Sequence, residues 1–186
     1  MLIGIPIPNN FSPDWKAVLC WLRLKDYEIN FAQGPYIYEN RNKLFEYARL
    51  KGQSILFIDS DIIFTLEDIK KIEEYLKTKD AVTGLYTFGT SPYPPMVFKR
   101  IKDDYKVTDP PRELSKIDAC GGGFLGVSQK VVQAMEENPF TNVKEGDKFH
   151  GEDISFSYRL QKYNLELWLD PNIKLGQLRT EVIRPR

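Results

Sequence analysis

Four apolar residues, Ile55-Leu56-Phe57-Ile58, run directly into Asp59-Ser60-Asp61. A run so short and so rich in β-formers reads as a strand buried on both faces of a parallel sheet. Two carboxylates one residue apart then have to escape the core, because an unpaired buried charge is costly. They must meet solvent, a metal or a ligand where the strand ends. In open α/β sheets, ligands lie outside the carboxyl ends of the strands, and Asp59 and Asp61 stand there.

The flanking segments supply the rest of such a sheet. Residues 2–7 read as a first strand, stopped by Pro8-Asn9-Asn10. Ser12-Pro13 is a helix start, and Trp15, Val18, Leu19 and Leu22 recur at helical spacing to about residue 26. Residues 27–32 form a second strand, broken at Gln33-Gly34-Pro35. A helix is predicted over 39–51, with Leu44, Phe45 and Ala48 inward and Gly52 at its end. Thr65-Leu66-Glu67-Asp68 resembles a capping box, opening a helix with Leu66, Ile69, Ile72 and Leu76 on one face. Residues 80–85 form a further strand. This alternation predicts an α/β, Rossmann-like open sheet, mostly parallel.

After Tyr86 the rhythm changes. Residues 87–95 hold four prolines and glycines, and 96–101 with 105–108 read as a hairpin turning at Asp103-Asp104. Residues 117–120 and 124–127 are short strands flanking Gly121-Gly122-Gly123, and Ser128 caps a helix carrying Val131, Val132 and Met135. Residues 138–151 read as a polar loop, and 165–169 as a strand stopped at Asp170-Pro171. The second half is therefore a smaller mixed β region. In residues 152–163, Ile154, Phe156, Tyr158 and Leu160 alternate as in a strand, whereas Phe156, Leu160 and Tyr163 fit a helix. Pattern alone slightly favours the strand; Glu152 and Asp153 would suit a helix N-terminus.

Composition narrows the function. At 186 residues, one domain is expected, with the change of rhythm dividing it into 1–86 and 87–186, which the family resemblance given below makes its nucleotide-binding and acceptor-side halves. Twenty-six basic residues balance twenty-six acidic ones, so no nucleic-acid partner is expected. Cys20 and Cys120 make no disulfide framework, which points to a reducing, cytoplasmic setting. No apolar run approaches the ~20 residues that cross a bilayer, leaving at most peripheral membrane contact. Trp15, Trp21 and Trp168 read as core, and Cys120 as a small buried residue rather than a nucleophile. Arg179, Arg184 and Arg186 form a basic tail, read as a solvated end.

Asp-x-Asp at a strand end supplies hard oxygen ligands, and in an extended chain residues two apart face the same side. Mn²⁺ or Mg²⁺ is commonly held by one or two carboxylates together with a substrate diphosphate. The tripeptide alone is equally compatible with a solubilising turn. Gly151-Glu152-Asp153 is a second acidic pair, able to take a proton from an attacking hydroxyl or simply to complement a helix dipole.

Tyr38-Glu39-Asn40-Arg41-Asn42-Lys43-Leu44, Ile55 to Asp61, Gly121-Gly122-Gly123-Phe124-Leu125-Gly126-Val127 and His150-Gly151-Glu152-Asp153-Ile154-Ser155-Phe156 together resemble a GT-A fold glycosyltransferase. The short length resembles the compact enzymes of archaea and their viruses. The resemblance implies a sugar-nucleotide donor, a glycan, protein or lipid acceptor, and a Mn²⁺ or Mg²⁺ ion on Asp59 and Asp61. It puts Pro6 and Pro8 near the base, Arg41 on the base or ribose, and Gly122 and Gly123 by the donor sugar. It makes Asp153, beside Glu152, the base if the transfer inverts, which the acidic pair favours although retaining enzymes share the fold, and makes residues 152–163 a helix. It also implies a metal-binding histidine near the C-terminus, where this chain has Gln177.

Ile63 and the position of the motif argue against a haloacid dehalogenase-type phosphatase, and Pro8-Asn9-Asn10 replaces the glycine-rich loop of a nucleotidyltransferase. The remaining rival is a non-catalytic sugar-nucleotide or glycan-binding module of the same fold.

Overall fold

In a computed structural model that describes residues 1–9, 15–88 and 92–178, the chain alternates strand and helix through its first half. These elements are β1 (Leu2–Pro8), α1 (Trp15–Leu22), β2 (Glu28–Gly34), α2 (Ile37–Lys51), β3 (Ile55–Ile58), β4 (Ile62–Ile63), α3 (Leu66–Tyr75) and β5 (Ala81–Leu85). The second half adds β6 (Val97–Ile101), β7 (Asp104–Val107), β8 (Ser115–Lys116), β9 (Ala119–Cys120) and β10 (Phe124–Val127). It continues with α4 (Gln129–Ala134), β11 (Val143–Glu145), β12 (Lys148–His150), α5 (Glu152–Lys162), β13 (Leu167–Lys174) and β14 (Gly176–Gln177). The helix start at Ser12-Pro13, the side chain of Trp15 and the basic tail lie outside the described residues.

The main sheet has seven strands in the order β2-β1-β3-β10-β5-β13-β8. β2, β1 and β3 are parallel, as are β5 and β13, while β10 runs antiparallel to both β3 and β5. The fold is thus mixed α/β, Rossmann-like and mostly parallel, with one reversed strand at its centre. That reversal follows from a change of sheet. β9 pairs with β6 in a three-stranded sheet, and Gly121-Gly122-Gly123 then carries the chain across so that Phe124 pairs with Ile58. The register therefore fixes the triglycine turn beside the end of β3.

Successive β3 side chains enter opposite cores, which explains its unbroken apolar run. Ile55 and Phe57 pack with Phe45 of α2, Val131 and Val132 of α4, and Phe156 and Leu160 of α5. Leu56 and Ile58 pack with Cys20 of α1 and with Ile69 and Ile72 of α3. Helices thus cover both faces of the sheet. The Thr65–Asp68 capping box forms with both of its reciprocal bonds, and Gly52 ends α2 in the left-handed region at φ 63°. No helix among the described residues is long and apolar enough to cross a membrane.

Several expectations are corrected. Residues 152–162 are a helix, as the resemblance implies; only the strand-like alternation misleads, because Ser155 and Ser157 are buried with Phe156 and Leu160. Ser155 stays satisfied by donating to the His150 carbonyl, and Ser157 by donating to that of Asp153. The polar stretch 138–151 contains the β11–β12 hairpin and the fully buried Phe140. The β6–β7 turn lies at Lys102-Asp103, one residue earlier than expected, with Lys102 at φ 59°. Trp21 and Trp168 are half-buried at the margin of a core. In α1 the inward face is Ala17 and Cys20, leaving Leu19 and Leu22 exposed.

Phe140 stacks on Phe156 at 4.5 Å between ring centroids and meets Phe57 edge-on at 5.1 Å. Phe140→Ala should therefore cost about 3–5 kcal/mol in urea unfolding. Phe149→Ala, at a residue 77% exposed, should stay within about 0.5 kcal/mol.

Candidate active site

β3 stops at Ile58, and the Ile62 N–H donating to the Asp59 carbonyl (3.1 Å) closes a tight turn over residues 59–62. Asp59 and Asp61 are therefore not neighbours on one extended face, and their side chains take different partners. The Asp59 backbone N–H donates to the Gly123 carbonyl at 2.8 Å, tying the turn to the triglycine segment. Asp61 is anchored by the tail end of the described chain. Leu178 N–H donates to its carbonyl at 2.7 Å, and Gln177 Nε2 donates to its Oδ2 at 2.9 Å. The short β4–β14 pair, which sequence patterning does not reveal, brings these two stretches together.

Arg41, from α2, is the hub. Its side chain is only 2% exposed. Nη2 donates to Asp59 Oδ1 and Oδ2 at 2.8 and 3.0 Å. Nη1 donates to Glu152 Oε1 at 3.0 Å and Asp153 Oδ1 at 2.8 Å. Burial opposes charge on the guanidinium, but Asp59, Asp153 and Glu152 outweigh it and hold Arg41 protonated above its ordinary range. This placement differs from the reach toward a base or ribose that the resemblance implies.

Asp153 opens α5 with Glu152. Burial raises its carboxyl; Arg41 pulls it down, Glu152 and Asp59 push it up, and the Gly122 amide pulls it down again. The outcome is a value of about 6 instead of 3.8. Gly122 has to be glycine for this packing, since a Cβ there would lie 2.5 Å from Asp153 Oδ1 and 2.8 Å from Arg41 Cζ. Gly123 donates its N–H to the Tyr86 hydroxyl oxygen at 2.8 Å, and a Cβ would approach Asp59 Oδ2 to 3.2 Å.

Tyr86 is a residue that sequence reasoning missed; its one signal is that it follows β5 at the carboxyl edge of the sheet. Burial, then Asp153, holds its phenol protonated well above the usual range. Burial likewise keeps the Cys120 thiol protonated, so it is no nucleophile. Pro6 and Pro8 lie at the carboxyl end of β1, Pro6 buried and Pro8 exposed, and take no part in the cluster's hydrogen bonds. His150 is buried with its Nε2 3.7 Å from Glu145 Oε2.

Among the described residues no group of three or more His, Cys, Asp or Glu is placed to hold a metal ion. Asp61 and Gln177, whose buried Oε1 finds no hydrogen-bond donor among the described residues, offer hard oxygens to an ion that would draw its remaining ligands from phosphate and water, whereas both Asp59 oxygens accept from Arg41.

No protein-family model matches the sequence, and no curated protein matches it. The crystal structure of A197 from STIV superposes with a TM-score of 0.67 at 17% identity, covering 100% of this chain and 98% of that one. The two chains share a fold from end to end. A looser match, to a Bacillus anthracis structure named for glucose-1-phosphate thymidylyltransferase, has a TM-score of 0.46, 14% identity and coverage of 90% and 69%.

A carboxyl whose value is raised on folding contributes stability fully below its unfolded value and loses that contribution as pH rises through its folded one. For Asp153 the window runs from about 3.8 to about 6. Wild-type melting temperature should therefore fall relative to Asp153→Asn between pH 4 and pH 7. Parallel curves in differential scanning calorimetry would contradict the burial account of Asp153.

Proposed function

We propose that this chain is a glycosyltransferase that moves a sugar from a nucleoside-diphosphate sugar to an acceptor hydroxyl. The observation that carries the reading is the convergence of Asp59 and Asp153, from opposite halves of the chain, on Arg41 at the carboxyl end of β3 beside a side-chain-free turn. The sheet's carboxyl edge is where a nucleotide would lie, and Gly122 and Gly123 let a sugar ring approach the backbone.

In the proposed reaction the acceptor oxygen attacks the anomeric carbon as the bond from that carbon to the diphosphate oxygen breaks. The acceptor hydroxyl proton passes to Asp153, and the nucleoside diphosphate leaves with the bonding electrons. A carboxylate with a value of about 6 is ionised at neutral pH yet basic enough to accept that proton. Direct displacement with Asp153 as base inverts the anomeric centre. Glu152, on the same Arg41 nitrogen, shares the positive charge that holds Asp153 in place. Asp59 and Asp61 would hold Mn²⁺ or Mg²⁺, which when bound neutralises charge on the departing diphosphate.

The non-catalytic reading is favoured by one observation: glutamine, with its N–H on Asp61, stands where the resemblance implies a metal-binding histidine. Turnover separates the two readings.

Asp61→Ala should abolish metal-dependent binding of nucleoside diphosphates, read by calorimetric titration with and without Mn²⁺; unchanged binding would overturn the donor-site assignment. Asp153→Asn should keep donor binding within about threefold and reduce transfer by two orders of magnitude or more. Transfer by that variant at the wild-type rate would remove Asp153 from the base role.

A further inference from the structure

We propose that Arg41 is a positioning residue that couples the donor-side carboxylate Asp59 to Asp153 and touches no substrate. The proposal rests on the reading of Asp153 as the base, but its geometry stands independently of that reading.

Exposure is the first argument. The guanidinium is 2% exposed, whereas Asp59, Glu152 and Asp153 keep 30%, 25% and 22% of their side-chain surface. The three acids lie between Arg41 and solvent. A nucleobase or ribose would have to displace them to reach it. Over the same guanidinium the backbone closes as well, because a Cβ on Gly122 would lie 2.8 Å from its Cζ.

The second argument is how its N–H groups are shared. One terminal nitrogen serves Asp59, at the end of β3, and the other serves Glu152 and Asp153, at the start of α5. A guanidinium is planar and rigid, so a movement of one edge moves the other. One positive charge also faces three carboxylates. Anything that engages Asp59, whether a cation or a sugar hydroxyl, releases part of that charge to Asp153. The other ionisable groups around Asp153 are Tyr86 and Cys120, both protonated by burial. Arg41 is therefore the one cation through which occupancy on the donor side reaches Asp153 among the described residues. A lysine cannot span the same three acids, because its ammonium is a single point of charge.

The test follows the carbon signal of the Asp153 carboxyl by NMR against pH, in protein labelled at aspartate and assigned by Asp153→Asn. Arg41→Lys should raise the titration midpoint of Asp153 by about one pH unit or more. Asp59→Asn should lower the midpoint in the wild-type background, and by less in the Arg41→Lys background, a non-additivity that measures coupling through the guanidinium. A midpoint indifferent to Arg41→Lys, or an Asp59→Asn effect of equal size in both backgrounds, would overturn the proposal. If Arg41→Lys does not fold, Asp59→Asn is read at the Arg41 side-chain nitrogens instead: a shift at Nη1, the nitrogen that serves Asp153, supports coupling through the guanidinium and an unmoved Nη1 overturns it. Because the readout needs no turnover, loss of the glycosyltransferase reading would leave this result interpretable.

Discussion

A buried guanidinium cannot stand alone in a protein interior: its charge costs several kcal/mol to desolvate unless carboxylates meet it with good geometry. Arg41 meets three, two of them contributed by a helix more than 110 residues further along the chain. That requirement makes the two halves of the fold interdependent. The central reversed strand β10 places the triglycine turn beside Asp59, and the missing side chain of Gly122 leaves room for Asp153 to close on Arg41. α5 must begin at Glu152 for both of its acids to face the hub. A change at any of these points leaves a buried charge short of partners, which is why the site and the core are one packing problem.

The same arrangement leaves the cluster with more negative than positive charge and with its acids on the solvent side. Such a deficit favours an incoming cation or a ligand that brings hydrogen-bond donors. It also keeps Asp153 in the range where a carboxyl can take up a proton near neutrality. Asp61 stands apart from the hub, braced by Gln177 and the Leu178 amide. The two acids of the Asp-x-Asp motif thus have separate supports, Asp59 from the core and Asp61 from the last described strand.

Much of the fold was legible because burial leaves a periodic trace. The apolar run of β3, the capping box at Thr65 and the glycine ending α2 each carry a local signature, and each is where the sequence places it. The candidate cluster stands out in the sequence through its acids and glycines, whose residue types are costly or special at strand ends. What the sequence hid was pairing over distance. Nothing local marks Arg41 as buried, and β4 and β14 are too short to show a period. Alternation in residues 154–160 even pointed to the wrong element, because buried serines bonded to nearby carbonyls look the same as exposed ones in a hydropathy pattern.

The claim that the Arg41 cluster is where a nucleotide ligand binds can be tested without knowing the sugar or the acceptor. A series of amide correlation spectra would be recorded during titration with UDP, GDP, ADP, CDP and dTDP in the presence of Mg²⁺. At least one nucleotide should perturb the amides of residues 59–61, 121–123 and 151–153 together. Perturbations confined to another surface, such as the groove along α2 lined by Tyr38, Lys43 and Tyr47, would contradict it.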